Sequence, residues 1–173
     1  PKFPLVPDWI IKDIHTLKAS LSSLFWLFVI STLMATVGFY DDLRELSPLA
    51  KLILQGIIAC LALVVGFRVT LFLNSIFLSS LITICWIVGV TNSFNLLDNM
   101  DGLSAGIAFI ISNIFFIVAI QTQQYFIASF LIVLSGSLLG FLFFNFPPAS
   151  IFMGDTGSLF IGTLLSLLTI KFT

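Results

Sequence analysis

The chain has 173 residues, of which 59% are hydrophobic and 9% charged, with 20 phenylalanines and a mean hydropathy of +1.18. A soluble domain carries charge at roughly a quarter of its positions, so this chain cannot clothe a globular surface in polar groups and its main solvent must be lipid. The net charge of −1 says little about partners, because its distribution matters more than its sum; no nucleic acid is expected among them.

Residues 1–20 carry Lys2, Asp8, Lys12 and Asp13 and lack the basic, apolar and cleavage-site order of a signal peptide. Six apolar runs follow, at about 21–39, 49–67, 75–91, 103–120, 125–144 and 158–172. Each approaches the ~20 residues that a helix needs to cross about 30 Å of hydrocarbon. Stretches such as SLFWLFVISTLMATVGF show no alternation of apolar and polar residues, which excludes a membrane barrel. The predicted fold class is therefore all-α, a polytopic membrane protein with about six transmembrane helices in a lipid bilayer. Cys60 and Cys85 lie midway along apolar runs and read as buried thiols, without a disulfide or metal role. No Met opens the chain, and its last apolar run stops at Phe172-Thr173 without a polar flank. Residues 1–173 are thus expected to form a single transmembrane core from a longer protein.

Hairpinned helices place alternate connections on opposite membrane faces. YDDLRELSP (40–48), NSFNLLDNMDG (92–102) and NFPPASIFMGDTG (145–157) share one face. That face holds Asp41, Asp42, Glu45, Asp98, Asp101 and Asp155, six of the eight acids, against Arg44 and Lys51, for a net charge of −4. The other face receives Asp8 and Asp13 with Lys2, Lys12, Lys18, Arg68 and Lys171. Solvated loops would scatter both signs. Counted in short connections, the Lys and Arg residues favour an outward acidic face by the positive-inside rule, but this charge bias alone does not fix the orientation.

Within NSFNLLDNMDG, Asn92, Asn95, Asp98 and Asp101 recur at every third position. Each step of three drifts by about 60° on a 3.6-residue helix, so all four converge only if the helix tightens, breaks or ends inside the stretch. The stretch reads equally as the floor of a pocket or as a polar turn. Asp41-Asp42 closes the first helix, where acids oppose the macrodipole and a purely structural role is disfavoured. Adjacent side chains diverge by about 100°, so one Asp can face a pocket while the other supports it. GDTGS (154–158) precedes the sixth run; Thr156 or Ser158 can cap that helix, whose N-terminus attracts phosphate. Asp155 would repel a bare phosphate there, a conflict that an intervening metal resolves. Clustered carboxylates raise one another's pKa unless a cation neutralises them, and such hard oxygen donors suit Mg²⁺ or Mn²⁺. The lone His15 falls on the other face and reads as a solvated loop residue, so zinc is not expected. An anionic substrate reached through Mg²⁺, phosphate foremost, fits best.

The order GFYDDLRELSPLAKLILQ, TNSFNLLDNMDGLSAG, IFMGDTGSLFIG resembles the polyprenyl-phosphate N-acetylhexosamine-1-phosphate transferases. That family takes in undecaprenyl-phosphate N-acetylglucosamine-1-phosphate transferases and phospho-N-acetylmuramoyl-pentapeptide transferases. The resemblance covers essentially the whole chain. It implies transfer of a sugar 1-phosphate from a UDP-N-acetylhexosamine to polyprenyl phosphate, releasing UMP, with Mg²⁺, at the cytoplasmic face of the plasma membrane. It assigns Asp41 and Asp42 to catalysis or to handling the lipid phosphate, and Asp155 with Asn95 to the metal. Asp98, Asp101 and Asn92 fall on the substrate side, and Lys51 beside the phosphates. FMGDTGS and LSPLAKL lean toward an N-acetylglucosamine donor, and a homodimer is within expectation. Asn99 stands where many relatives have Gly, and the family's first helices and His-rich loop are missing, so the 173-residue piece alone is expected to be inactive. Two other readings are a CDP-alcohol phosphotransferase, which expects an Arg after Asp101-Gly102 where LSAGIAF stands, and a cation transporter, whose acids sit within helices near mid-membrane.

Overall fold

A computed structural model describes residues 8–70 and 75–172, with side chains from residue 21 onward. Among these residues six helices follow one another: α1 (Asp8–Leu43), α2 (Pro48–Val64), α3 (Ile76–Leu97), α4 (Leu103–Gln121), α5 (Tyr125–Asn145) and α6 (Gly154–Lys171). No strand occurs among the described residues, in agreement with the predicted all-α class. His15 belongs to α1, but its side chain lies outside those described.

Local chemistry sets the starts. Ser47 accepts from Ala50 N at 3.3 Å and Pro48 occupies the first turn of α2, a position where a missing N–H costs nothing. Ser75 accepts from Leu78 N at 3.4 Å at the start of α3. Three helices outrun their predicted bounds. α1 runs from Asp8 through Asp41 and Asp42 to Leu43, α3 continues past residue 91 to Leu97, and α6 begins at Gly154, ahead of residue 158. The polar TNSFN segment stays helical because its amides are taken up by neighbouring helices rather than by a turn.

Among the described residues, four helices are long and apolar enough to cross a membrane: Leu21–Leu43, Ile76–Leu97, Leu103–Gln121 and Tyr125–Asn145. Apolar α2 is slightly shorter, at 17 residues. α6 is less apolar for a different reason, since it is the axis of the bundle: it packs most extensively on α1 and α3, touches α4, and buries eleven residues from Ser158 to Ile170. α4 and α5 pair with each other, and α2 closes against α3 and α1.

Where lipid surrounds protein, burial of apolar surface gives helices little reason to associate, so close backbone packing and interhelical hydrogen bonds must serve. Both occur around α6. A Cβ on Gly38 would stand 2.7 Å from Thr156 N, and one on Gly162 would stand 2.8 Å from Thr91 Cα, so α1 and α3 approach α6 backbone to backbone. Thr91 and Thr163 hydroxyls bond at 2.9 Å, Trp86 Nε1 donates to Thr169 Oγ1 at 2.7 Å, and Asn113 Nδ2 donates to Ser135 Oγ at 2.8 Å between α4 and α5.

The outer surface is apolar, with Phe25, Leu49, Val64, Phe77, Phe143 and Phe152 among its exposed side chains. Cys60 and Cys85 also lie on it, contrary to the buried thiols predicted from their apolar surroundings. Lipid is as apolar as a protein core, so hydropathy does not separate the two environments. The chain is a multi-pass helical membrane protein.

Candidate active site

The ends of α1, α3 and α5 and the starts of α2, α4 and α6 share one face, and four of these termini meet there. Asp41 lies in the last turn of α1. Its Oδ1 accepts from Leu46 N at 2.6 Å, folding the short connection back into α2. Its Oδ2 lies 2.8 Å from Lys51 Nζ. Lys51, in the first turns of α2, also donates to Asn95 Oδ1 at 3.2 Å and forms an ion pair with Asp155 Oδ2 on α6. Asn95 Nδ2 completes the ring, donating to Asp155 Oδ1 at 2.7 Å and to Ser158 Oγ at 3.0 Å. One ammonium therefore sits among three oxygens from three helices.

The neighbouring Asp42 does something else. Its Oδ1 accepts from Asp155 N at 2.9 Å, and its Oδ2 accepts from Thr156 N at 3.0 Å and Thr156 Oγ1 at 2.6 Å. It caps α6 from another helix and sets its charge against the positive end of that helix. The cap predicted from Thr156 or Ser158 is thus replaced, because α6 begins at Gly154 and both residues already lie inside the helix. The divergence of two adjacent carboxylates, one to the cluster and one to a supporting bond, is as their 100° separation predicts.

The three-residue series of α3 divides into separate tasks. Asn95 joins the Lys51 cluster. Asn92 lies one turn deeper, where its Nδ2 donates to Gln55 Oε1 at 2.6 Å and its Oδ1 accepts from Gln55 Nε2 at 3.3 Å. Gln55 is fully buried, so this pair locks α2 to α3 beneath the site. Asp98 ends the helix and remains near the cluster, half-buried. Burial pushes its carboxyl up to about 6; the Gly154 N–H works against the rise, and the negative charges of Asp155 and Asp42 add to it. Asp101, beyond the helix end, is exposed and accepts from Ala149 N at 3.0 Å. The structure does not bring it into the Lys51 cluster. Together with Asn145, whose Oδ1 accepts from Gly102 N at 3.0 Å and whose Nδ2 donates to Ile151 O at 2.9 Å, it organises the connection over 146–153.

Sequence reasoning missed Gln55, Ser158 as a partner of Asn95, and Asn145. A signal existed for Gln55: it lies four residues after Lys51, on the same helical face, in an otherwise apolar run. Asn145 is the polar residue that closes α5, and it is buried.

Among the described residues no three Asp, Glu, His or Cys side chains stand close enough to cage a metal by themselves. The oxygens of Asp41, Asp155 and Asn95 nevertheless converge on a cation, with the Lys51 ammonium as the stand-in ion. Two carboxylates and an amide suit Mg²⁺, which keeps several waters and completes its octahedron with substrate phosphates. The residues fit that ion.

Fold and site together define a membrane-embedded helical bundle with two carboxylates, an amide and an ammonium gathered at one interfacial rim. The family model of glycosyl transferase family 4 matches residues 24–173, and the chain belongs to that family. It is 38% identical over 146 residues to a Bacillus subtilis protein named "Probable undecaprenyl-phosphate N-acetylglucosaminyl 1-phosphate transferase", covering 80% of this chain and 41% of that one. It is 34% identical over 170 residues to the phospho-N-acetylmuramoyl-pentapeptide-transferase of Lactobacillus acidophilus, covering 87% and 53%. A Levilactobacillus brevis protein of the same name is 52% identical over 87 residues, covering 50% and 27%. The chain spans about half the length, or less, of these curated relatives.

Proposed function

We propose that the protein to which this chain belongs transfers N-acetylhexosamine 1-phosphate, N-acetylglucosamine 1-phosphate foremost, from a UDP-sugar to polyprenyl phosphate, undecaprenyl phosphate in particular. The observation that carries this reading is the Lys51 ammonium shared by Asp41, Asp155 and Asn95 at the level of the helix ends. A polyprenyl phosphate presents its headgroup at that level while its tail stays in the bilayer. The relatives' names, which describe transferases of this kind, support the same reading.

In the reaction an oxygen of the lipid phosphate attacks the sugar-bearing phosphorus of the donor. The bond from that phosphorus to the bridging oxygen breaks, and UMP departs with the electron pair. The lipid phosphate is already largely ionised near neutral pH, so the difficulty is bringing anions together rather than removing a proton. Mg²⁺, with Mn²⁺ as a substitute, would be held by Asp155 and Asn95 and would supply charge neutralisation on the diphosphate. Lys51 adds a second positive charge beside the phosphates. Asp41, with one oxygen turned to the cluster, orients the nucleophile or takes its residual proton. Asp42 has three donors on its two oxygens, and its role is to position Asp155 through the α6 backbone. Asp98 lies on the nucleotide side, with Asp101 and Asn92 bounding and supporting the pocket. The rim faces the cytoplasm of the plasma membrane, where UDP-sugars are found.

The test supplies full-length protein with undecaprenyl phosphate, Mg²⁺ and either UDP-N-acetylglucosamine or UDP-N-acetylmuramoyl-pentapeptide, and follows UMP. Asp155→Asn and Asp41→Asn are each expected to reduce turnover by 100-fold or more. Undiminished UMP formation in both variants refutes the site; no UMP from either donor refutes the reaction.

A further inference from the structure

The end of the bundle remote from the acidic rim contains a cavity of about 280 Å³, lined by Arg68, Lys171, Ser22, Ser23, Thr70 and Trp26 among others. Among the described residues, none that line it is acidic. The cavity is built by a firmly anchored segment. α2 stops at Gly66 (φ +101), where Gly66 N donates to Leu63 O at 3.1 Å and Phe67 N to Ala62 O at 2.9 Å, the paired bonds of a Schellman motif. Past this stop, Val69 is held at both backbone groups: its N–H donates to Thr83 Oγ1 at 3.0 Å and its carbonyl accepts from Ser79 Oγ. Both hydroxyls are buried on α3. Phe67 and Val69 are buried in the core while Arg68 between them is only half-buried, the alternation of an extended chain. Arg68 is therefore turned away from the core and into the cavity by bonds made on either side of it.

Among the described residues Arg68 has neither a hydrogen bond nor an ion pair. Holding a guanidinium partly out of water without a counter-charge is costly, and the backbone anchoring makes it hard to relax outward. Lys171, in the last turn of α6, donates to Ser23 Oγ at 3.0 Å and keeps its charge at the same mouth. Two cations, hydroxyls and an indole at a helix-end level match an anionic headgroup. The guanidinium fork accepts two phosphate oxygens, hydroxyls add donors, and Trp prefers the interface.

We propose that this cavity binds the phosphate of an anionic phospholipid in the leaflet opposite the acidic rim. A lipid rather than a free anion is favoured because the mouth adjoins Trp26 and Phe25 on the exposed apolar surface of α1, where an acyl chain can continue from the headgroup. The proposal rests on the multi-pass architecture and not on the transferase reading, so the two stand or fall separately.

The test uses full-length protein in neutral detergent, titrated with phosphatidylglycerol, phosphatidylcholine or inorganic phosphate. Thermal unfolding gives an apparent affinity, and native mass spectrometry counts retained lipid. Phosphatidylglycerol is expected to stabilise the wild type, with phosphatidylcholine and inorganic phosphate giving little. Arg68→Gln with Lys171→Gln is expected to weaken the phosphatidylglycerol effect at least tenfold, Arg68→Lys to weaken it less, and Arg44→Gln on the other face to leave it unchanged. An equal phosphatidylglycerol response in the double variant overturns the proposal. So does a full response to inorganic phosphate, which would make this a free-anion site. Should the double variant not fold, a phosphatidylglycerol affinity in Arg68→Lys equal to that of the wild type overturns it as well.

Discussion

Replacing Lys51 by Met keeps the length of the side chain and removes the charge at the centre of the acidic rim. The side chains of Lys51 and Asp41 are 14% and 13% exposed, whereas Asp155 is 30% exposed. Removing one partner of a buried ion pair costs roughly 3–5 kcal/mol because the other is left uncompensated; the wetter Asp155 places the expected loss at the lower end, about 3 kcal/mol. A loss of that size lowers the midpoint of thermal unfolding by several degrees, at roughly 2–4 °C per kcal/mol for a chain of this size class. The variant should therefore melt earlier than wild type in EDTA. Added Mn²⁺ should restore more stability to Lys51→Met than to wild type, because Asp41, Asp155 and Asn95 no longer have to release an ammonium to receive it. The assay is thermal unfolding of full-length protein in detergent, with Mn²⁺ binding followed in parallel by electron paramagnetic resonance. Equal melting in EDTA together with equal Mn²⁺ affinity would refute the view that Lys51 and the metal share one set of oxygens.

Asp42→Ala removes three acceptor bonds at the start of α6 and is expected to cost about 1–2 kcal/mol, the value of a good helix cap, while lowering turnover through a displaced Asp155; wild-type kcat in this variant would refute the positioning role. Gly38→Ala forces the α1 and α6 backbones apart at Asp155, so turnover should fall more steeply than in Gly56→Ala, where an added Cβ meets nothing. Asp98 supplies a pH dependence of definite sign. With its carboxyl raised to about 6, the folded state holds a proton that the unfolded state has already lost, so its contribution is present at pH 4 and lost as pH rises through 6. In EDTA, the stability of Asp98→Asn relative to wild type should thus increase from pH 4 to pH 7; a difference that stays flat would contradict the raised value.

Much of this architecture was legible because hydropathy and chain alternation are strong constraints in lipid. Six apolar runs require an even-handed sharing of connections between two faces, and that alone gathers Asp41, Asp42, Asp98 and Asp155 on one rim. What hydropathy does not carry is direction around each helix. Cys60 and Cys85, in apolar runs, face outward rather than inward, since nothing in an apolar run distinguishes a lipid neighbour from a protein one. The central place of α6 was also hidden, although its sequence contains the cue: Gly157, Ser158, Gly162, Thr163 and Ser166 make it the run richest in small and polar residues, which is the composition of a helix surrounded by other helices.

The same distinction explains how the three-residue series of α3 resolves. A regular helix carries Asn92 and Asn95 past each other by about 60°, enough for one to meet Gln55 of α2 and the other Asp155 of α6. Asp98 is the point at which the helix stops, and Asp101 lies after the turn. Four polar residues at equal spacing therefore face three different neighbours, and no bend is needed to explain them. Convergence at the rim comes instead from separate helix termini, each contributing one or two side chains. The site's geometry is thus set by how α1, α2, α3 and α6 pack along their whole length, and a one-methyl intrusion at Gly38 bears on Asp155 as directly as a change to a ligand.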